Sequence, residues 1–393
     1  MKDVLVVCPQ ERDVHAVRSA GLEDRYRVTY AGSDLDDVVG EFDPAAFLRE
    51  WEGAPADGVI GTKDRSALLA ALLAQRRGLP GPTPAALLAC QHKPTAREIQ
   101  RQAAPEATPR FALLDVHNPP FDYPFFAKPV IGRLSQGVAR VDSAADLPTL
   151  QDNEQYTRRY AEIAALAGAD VASMRGFLAE ELLRGDEVTL EGYVHGGRVT
   201  TVGVTDSVKY AGTESFERFE YPSKLSKERQ AGLARIAERV LPGFGFECGF
   251  FNIEFFVAPT GPPGLVEVNG RLASQFAPLV QELHGRSTYD ALFQLACGED
   301  PRWKTGLPDG VGISYCIRVF EDAFVEAVPE PEEGLEILVA PGLRLSEQGT
   351  NDAQSYRLAI FSEFGETRAE AVARCHARTS RLNFRLQATA PVR

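Results

Sequence analysis

The chain has 393 residues, of which 44% are apolar and 25% are charged, so it is long enough for two or three globular domains with their own cores. Its formal net charge is −13, and no cluster of Lys and Arg stands out. This balance argues against nucleic acid or an anionic membrane surface as the main partner.

The spacing of the cysteines and histidines excludes further classes of protein. The six cysteines lie far apart and never form C-x-x-C, which is typical of free thiols in a reducing compartment. The six histidines are dispersed, with no two at metal-ligand spacing, so zinc catalysis has no support. The opening MKDVLVVCP has too short an apolar run for a signal peptide, and no segment has the apolar length of a membrane span. We therefore expect a cytoplasmic protein.

The first part of the chain alternates strands and helices. Apolar runs over residues 3–7, 26–32 and 57–62 predict strands, and helix-like stretches separate them. Such alternation indicates an open, parallel α/β layer. No G-x-G-x-x-G follows the first strand, so nothing supports a dinucleotide fingerprint there. A helix is then predicted over residues 90–103, with Lys93 near its start.

A second region begins with a strand, a glycine-bearing loop and another strand. Lys128 lies on the first strand (125–130), and Gly132, Ser135 and Gly137 follow in the loop. Glycines let backbone N–H groups approach a phosphate, and a lysine supplies a positive point charge. The order of the lysine and the glycines differs from that of a P-loop, in which a helix follows the glycine-rich loop. On these residues alone, an ordinary hairpin is the favoured alternative.

The string EELLRGDE, residues 180–187, ends a strand at a tight turn. A strand edge with free backbone groups can bind an adenine ring, and Glu187, after the turn, can accept from ribose hydroxyls. On these residues alone, a solvated hairpin corner is the favoured alternative. A long hairpin around Gly196 and Gly197 and a helix over residues 225–240 follow.

The stretch over residues 249–271 predicts a β-hairpin with acids on one face. FNIEFFV and LVEVN have strand character, and APTGPP between them has turn chemistry. With residues 258–263 as the loop, Glu254 lies opposite Glu267, and Asn252 lies opposite Asn269. Two facing carboxylates repel each other at roughly 5 Å, so a cation is expected between them.

Two carboxylates and an amide are oxygen ligands, which suit Mg²⁺ or Mn²⁺ and argue against zinc or copper. Arg271 lies two residues beyond Asn269 and would add a fixed cation to the same face. The alternative is a solvent-exposed hairpin face with scattered acids. A single Glu pair would favour that alternative, whereas the E-x-N-x-R string counts against it.

The end of the chain is predicted to mix strands and helices. A helix over residues 287–298 precedes a strand-rich part that begins near residue 310. A strand, a Gly turn, a helix with Thr367 as its N-cap and a last strand close the chain.

In this order along nearly the whole chain, the motifs resemble the ATP-grasp superfamily, and most closely its carboxylate–amine ligases, such as L-amino-acid ligases and D-alanine–D-alanine ligase. The resemblance implies a mixed α/β (α+β) fold in three parts. These are an N-terminal open parallel α/β domain at 1–115, a small central lid domain at 116–188, and a larger C-terminal α+β domain at 189–393, which includes a closing segment at 310–393. It also implies ATP with Mg²⁺ or Mn²⁺, small-molecule substrates and a homodimer, which is common among relatives.

The resemblance assigns roles to residues of this sequence. It implies nucleotide contacts by Lys93, Lys128, the glycine loop with Gly132, Ser135 and Gly137, Glu180 at the adenine amino group, the backbone of Glu181, Leu182 and Leu183 at the ring edge, and Glu187 at the ribose. It implies metal binding by Glu254, Glu267 and Asn269, and a contact of Arg271 with the transferred phosphate or the substrate carboxylate. Asn252 receives no ligand role, and the segment after Arg271 matches no substrate signature.

The implied function is ATP-dependent ligation of a carboxylate, activated as an acyl phosphate, to an amine that is an amino acid or small peptide, with release of ADP and phosphate. One alternative is a bicarbonate-activating enzyme, because the closing segment also resembles that of biotin-carboxylase-like enzymes; the lack of a biotinyl-lysine segment counts against it. Another is a non-catalytic nucleotide-binding module, against which the intact acids and lysines count.

Overall fold

The computed structural model describes residues 1–36, 41–133, 135–304, 306, 308–349, 351–352 and 354–388. The strands within this part are β1 Lys2–Val7, β2 Tyr26–Ala31, β3 Gly58–Ile60, β4 Phe111–Leu113, β5 Phe125–Pro129, β6 Ala139–Val141, β7 Phe177–Glu180, β8 Asp186–His195, β9 Arg198–Lys209, β10 Phe216–Tyr221, β11 Cys248–Val257, β12 Gly264–Asn269, β13 Val311–Val319, β14 Phe324–Ala327, β15 Leu335–Ile337, β16 Tyr356–Gly365 and β17 Arg385–Gln387. The α-helices are α1 Glu11–Ser19, α2 Pro44–Trp51, α3 Asp64–Arg76, α4 Pro84–Gln91, α5 Lys93–Ala103, α6 Glu154–Leu166, α7 Lys227–Val240, α8 Ala277–His284, α9 Thr288–Ala296 and α10 Arg368–Thr379.

The N-terminal layer is a parallel sheet in the order β2-β1-β3, as the alternation of strands and helices predicts. The predicted helix over residues 90–103 is divided at His92 into α4 and α5. His92 has extended backbone and caps α5, where its ring accepts from the Thr95 N–H. Pro94 then suits the first turn, which needs no N–H from it. The division places Lys93 at the first position of α5.

Two antiparallel sheets follow the N-terminal layer along the chain. A four-stranded sheet in the order β4-β7-β5-β6 carries the glycine loop between β5 and β6. An eight-stranded sheet has the order β12-β11-β8-β9-β10-β13-β16-β15. The domain boundaries predicted after residues 115 and 188 remain predictions. β4, which lies before the first boundary, pairs with β7, which lies after it, so this sheet contains strands from both sides of that boundary.

The long apolar side chains of α3 explain how the layers join. Leu68, Leu69, Leu72 and Leu73 are all buried, in one cluster that also contains residues of β11, β12 and α7. A helix that is apolar all round must be covered on every side. The cluster therefore fixes the N-terminal layer against the eight-stranded sheet, with a cleft between them.

The closing segment forms as predicted. β16 ends at Gly365, Thr367 caps α10 through its side chain, and β17 pairs with β14. The six cysteines are free thiols, as their spacing predicts. Among the described residues, no helix combines the length and apolar character of a membrane span. The observed mixture of a parallel layer and large antiparallel sheets is the predicted mixed α/β class.

Candidate active site

A cleft of about 1670 Å³ lies between the N-terminal layer and the two antiparallel sheets. Every predicted site residue lines it except Gly137. Gly137 has φ +72°, and a Cβ there would lie 2.5 Å from the Gln151 backbone oxygen. The loop therefore needs glycine at this position for its own path. Gly132 has room for a Cβ, whose nearest neighbour would be 3.5 Å away.

The acidic hairpin has the predicted register. Glu254 pairs with Glu267, and Asn252 pairs with Asn269, across β11 and β12. Asn269 Nδ2 lies 3.5 Å from Glu254 Oε1 and 3.3 Å from Glu267 Oε1, so the three predicted metal ligands converge. Burial raises the pKa of Glu254 well above its usual range, and the negative charge of Glu267 acts in the same direction. The facing acids thus form one half-buried cluster.

The donor set fits a hard divalent cation. Within the described ranges, no group of three or more His, Cys, Asp or Glu side chains could hold a metal ion. The hairpin instead offers two carboxylates and one amide, whose oxygen reaches the same point when the amide turns by 180°. Mg²⁺ is usually held by one or two carboxylates together with substrate phosphates. A cation here would take its remaining ligands from a nucleotide.

Asn252, which has no role in the sequence prediction, holds the backbone beside this cluster. Its Nδ2 donates to the Arg271 carbonyl over 3.0 Å, and its Oδ1 accepts from Asn269 Nδ2 over 3.1 Å. Opposite it on β8, Glu191 accepts from the Ala273 N–H over 2.8 Å. Burial raises the pKa of Glu191 to about 8. These bonds fix the turn that carries Asn269 and Arg271.

The second predicted lysine is held by a buried acid. Lys128 Nζ lies 2.9 Å from Glu180 Oε2, and Arg97 binds both Glu180 oxygens, at 2.6 and 3.0 Å. Arg97 also donates to the Leu265 and Val266 carbonyls, which tie this pair to β12. Burial opposes the ionised form of Glu180, but Arg97 and Lys128 outweigh it and lower the pKa of Glu180 to about 2. The Glu180 carboxylate therefore fixes the position of Lys128.

Lys93 lies close to the same cluster. Its pKa is lowered by burial and by the charge of Lys128, while Glu267 acts in the opposite direction. Its N–H donates to the Val130 carbonyl over 3.2 Å, which joins α5 to the end of β5. Two lysines can offset the negative charge of a chain of phosphates, and the two carboxylates beside them can offset the charge of the cation that accompanies it.

The segment over residues 180–187, predicted to contact the adenine and the ribose, already makes several hydrogen bonds and ion pairs within the protein. The Glu181 N–H donates to the Arg110 carbonyl over 3.0 Å, and its carboxylate pairs with the Arg110 side chain. Leu182 and Leu183 line the cleft next to it. Glu187 forms an ion pair with Lys209 over 3.0 Å, a residue that the sequence prediction missed. Nothing in the sequence marks this lysine, because β9 brings it to Glu187 from the far end of a long hairpin.

Arg271 and the glycine loop both contact the N-terminal layer. Arg271 Nε lies 2.5 Å from Oδ1 of Asp64, the first residue of α3. Arg133, in the glycine loop, forms an ion pair with Asp36 and stacks on the Tyr156 ring, with 4.8 Å between guanidinium carbon and ring centroid. The loop is therefore tied to the opposite wall of the cleft.

Known proteins resemble this chain in sequence and in fold. Residues 121–278 match the family model of the ATP-grasp domain. Human carnosine synthase 1 is 28% identical over 282 residues, which cover 66% of this chain and 33% of that protein. The D-alanine–D-alanine ligase of Anaeromyxobacter sp. (strain Fw109-5) is 28% identical over 191 residues, 46% of this chain and 55% of that protein. The chain thus spans about a third of the first relative and about half of the second.

Solved structures extend the likeness to the whole fold. The L-amino acid ligase from Bacillus licheniformis superimposes with a TM-score of 0.76 at 19% identity, over 98% of this chain and 99% of that one. The match includes the N-terminal layer and the closing segment, which lie outside residues 121–278. Residues 121–278 therefore match an ATP-grasp domain, and the chain has the fold of this L-amino acid ligase over nearly its whole length.

Proposed function

We propose that this protein is an ATP-dependent ligase that activates a carboxylate as an acyl phosphate and couples it to an amine, with release of ADP and phosphate. The observation that carries this proposal is the register of Glu254 and Glu267, which face each other in one cleft beside Lys93 and Lys128. The names of the similar proteins, two ligases and a synthase, support the same reaction class.

The reaction needs activation because the oxygen of a carboxylate is a poor leaving group. A carboxylate oxygen attacks the γ-phosphorus of ATP, and the bond from that phosphorus to the ADP oxygen breaks. The amine then attacks the acyl carbon, phosphate leaves with the bonding electrons, and the amine nitrogen loses a proton. Catalysis of such a transfer is mostly positioning and charge neutralisation. Positioning of the two reactants can lower the barrier by roughly 7–11 kcal/mol.

The chain's residues fit these tasks. Lys93 and Lys128 would neutralise phosphate oxygens, and Arg271, oriented by Asp64, would hold the transferred phosphate or the reacting carboxylate. Glu254, Glu267 and Asn269 would hold Mg²⁺ or Mn²⁺. The bound cation would offset the negative charge of the phosphates.

Exclusion of water is the task of the glycine loop. An acyl phosphate hydrolyses unless the cleft is covered. Arg133 holds the loop to Asp36 on one side, and Gln136 donates to the Asn351 carbonyl over 3.1 Å on the other. We further propose a cytoplasmic location, which the six free thiols support.

The nucleotide product tests the reaction class. The protein is incubated with ATP, Mg²⁺ and pooled amino acids, and the nucleotide formed is identified. ADP and phosphate support the proposal, whereas AMP and pyrophosphate contradict an acyl-phosphate route. Turnover that needs bicarbonate and free biotin would favour the biotin-carboxylase-like alternative. A Glu267→Gln variant with unchanged activity in every assay would favour a non-catalytic module.

A further inference from the structure

Three parts of the molecule meet at the side chain of Asp64. This residue begins α3, and its Oδ1 binds Arg271 Nε over 2.5 Å. Its other oxygen, Oδ2, accepts from the hydroxyl of Tyr156 over 3.4 Å. Tyr156 is buried on α6, in the segment predicted as the lid domain, and it lines the cleft. One carboxylate therefore joins a helix of this segment to the arginine that is proposed to contact the reacting groups.

The Tyr156 hydroxyl gives the Asp64 carboxylate a second partner. The last torsion of an aspartate side chain is broad, so a carboxylate with a single partner can turn about it. With one oxygen on Arg271 and the other on Tyr156, the plane of this carboxylate is fixed. Burial raises the pKa of Tyr156 above its usual range, so the phenol stays protonated and can donate.

The same contact leaves most of Arg271 free for a ligand. Asp64 accepts from Nε, whereas the two terminal nitrogens carry four further N–H groups. A guanidinium is planar and rigid, so the direction of its Nε–H bond determines where these four groups point. Whatever fixes the Asp64 carboxylate therefore also fixes the direction in which Arg271 binds.

The ring of Tyr156 contacts the glycine loop. The guanidinium carbons of Arg65 and Arg133 lie 5.5 and 4.8 Å from its centroid, distances at which a cation is attracted to the face of an aromatic ring. Both arginines also pair with Asp36, whose negative charge offsets their repulsion. The loop is thus held through Arg133 on a surface that includes the Tyr156 ring.

The helix that carries Tyr156 is a firm support for it. The buried side chains of α6 belong to the same apolar cluster as those of α3. Tyr160, one turn beyond Tyr156, is fully buried, and its ring stacks on that of Tyr156 with 6.3 Å between the centroids. The Tyr160 hydroxyl has no hydrogen-bond partner among the described residues. The two tyrosines share a helix and an environment, and they differ in the contact with Asp64.

We propose, on the basis of the function proposed above, that Tyr156 is a positioning residue of the reaction. Its hydroxyl holds Asp64, and through Asp64 it orients Arg271 toward the transferred phosphate or the reacting carboxylate. Its ring is the surface on which Arg133 holds the glycine loop over the cleft. One side chain therefore joins the alignment of Arg271 to the exclusion of water.

Removal of the hydroxyl alone tests the alignment. Tyr156→Phe keeps the ring, and the rate of ADP formation is measured with saturating MgATP and the pooled amino acids. We expect this rate to fall by about tenfold or more. The Kd for MgADP, measured by calorimetric titration, should stay unchanged, because ADP lacks the phosphate that is transferred. A residue with a merely structural role would change both quantities.

Tyr160→Phe is the matched control. It removes the same atom from the same helix, at a position where the hydroxyl has no partner in the described structure. The rate of ADP formation and the Kd for MgADP should both equal those of the wild type.

Two further variants locate the two contacts. Tyr156→Leu also removes the ring, so the ratio of phosphate released to amide formed should rise, whereas Tyr156→Phe should leave it unchanged. In an Asp64→Ala background, Tyr156→Phe should have no further effect on the rate, because its partner is already absent. Two independent losses would instead multiply.

The outcomes separate the two proposals. A wild-type protein that forms no ADP contradicts the proposed function, and this inference with it. A wild-type protein that forms ADP, together with a Tyr156→Phe variant of equal rate, overturns this inference alone. Equal losses in Tyr156→Phe and Tyr160→Phe, a Kd for MgADP that rises in proportion to the lost rate, or losses that multiply with Asp64→Ala would do the same. An unchanged ratio of phosphate to amide in Tyr156→Leu would overturn the role of the ring.

Discussion

Lys128 and Glu180 form an ion pair inside the cleft, with 2.9 Å between Nζ and Oε2. Both side chains are buried, and Arg97 holds the other side of the same carboxylate. A lysine ammonium has three donors, so the pair leaves two for a phosphate. Glu180 thus orients Lys128, while two of the three ammonium donors stay available to a phosphate.

Replacement of this lysine should weaken nucleotide binding. Lys128→Ala removes a charge-assisted contact but leaves Glu180 paired with Arg97, so the fold should persist. We expect the Kd for MgATP to rise by about 10- to 100-fold, measured by calorimetric titration. Lys224→Ala is the control, since Lys224 is exposed and pairs with Asp186 outside the cleft lining. Equal Kd values for both variants would contradict the assignment of Lys128.

Removal of the Asn252 side chain should slow turnover. Asn252→Ala leaves the Arg271 carbonyl without its side-chain donor and releases the turn that carries Arg271. We expect kcat to fall by about tenfold or more and the free energy of unfolding to fall by about 1–3 kcal/mol. Thr83→Ala, which removes the N-cap of α4, should cost about 1 kcal/mol without an effect on kcat. If kcat falls in both variants in proportion to the lost free energy of unfolding, Asn252 acts only through stability.

Release of the glycine loop should uncouple the reaction. Arg133→Ala breaks the ion pair with Asp36, so water should reach the acyl phosphate more often. The ratio of phosphate released to amide formed should rise above that of the wild type, measured by parallel phosphate and product assays. Arg158→Ala, on the exposed face of α6, should leave the ratio unchanged. An unchanged ratio in Arg133→Ala would argue against a role of this contact in covering the cleft.

Glu191 should make stability depend on pH. Burial raises its pKa from 4.5 to about 8 in the folded state, while Arg271 and the Ala273 N–H act in the opposite direction. Its contribution to folding is therefore complete below pH 4.5 and is lost as the pH rises through about 8. Glu191→Gln keeps an acceptor for Ala273 but does not titrate.

The measurement is urea unfolding at about pH 6 and about pH 8.5. The free energy of unfolding of the wild type should fall between these values by up to a few kcal/mol more than that of Glu191→Gln. The exposed Glu98→Gln should follow the wild type. Identical pH dependence in wild type and Glu191→Gln would mean that Glu191 does not titrate in this range.

Local sequence signals predicted much of the fold. The turn residues of APTGPP determine the loop of the acidic hairpin, and the side-chain period of two then determines which residues face each other. The structure confirms that register and the hairpin turn at Gly196 and Gly197. β10 and α8 were missed, although Pro278 and Gly285 mark the ends of α8 by well-known preferences.

The contacts that position the site could not be predicted in the same way. Arg97 and Glu180 are 83 residues apart, and Arg271 and Asp64 are 207 apart. Such pairs form only when separate layers pack together, and no local preference indicates them. A single sequence shows the residue types that a site needs, but not which buried cation will hold which acid.

The central claim is that Glu254 and Glu267 hold a divalent cation that carries nucleotide. Its most direct test is Mn²⁺ binding followed by electron paramagnetic resonance, in the presence of a non-hydrolysable ATP analogue. Glu254→Gln and Glu267→Gln preserve side-chain size, and Glu282→Gln, exposed on α8, is the control. The account predicts at least about tenfold weaker Mn²⁺ binding in each of the first two variants and no change in the third. Wild-type affinity in both Glu254→Gln and Glu267→Gln would contradict it.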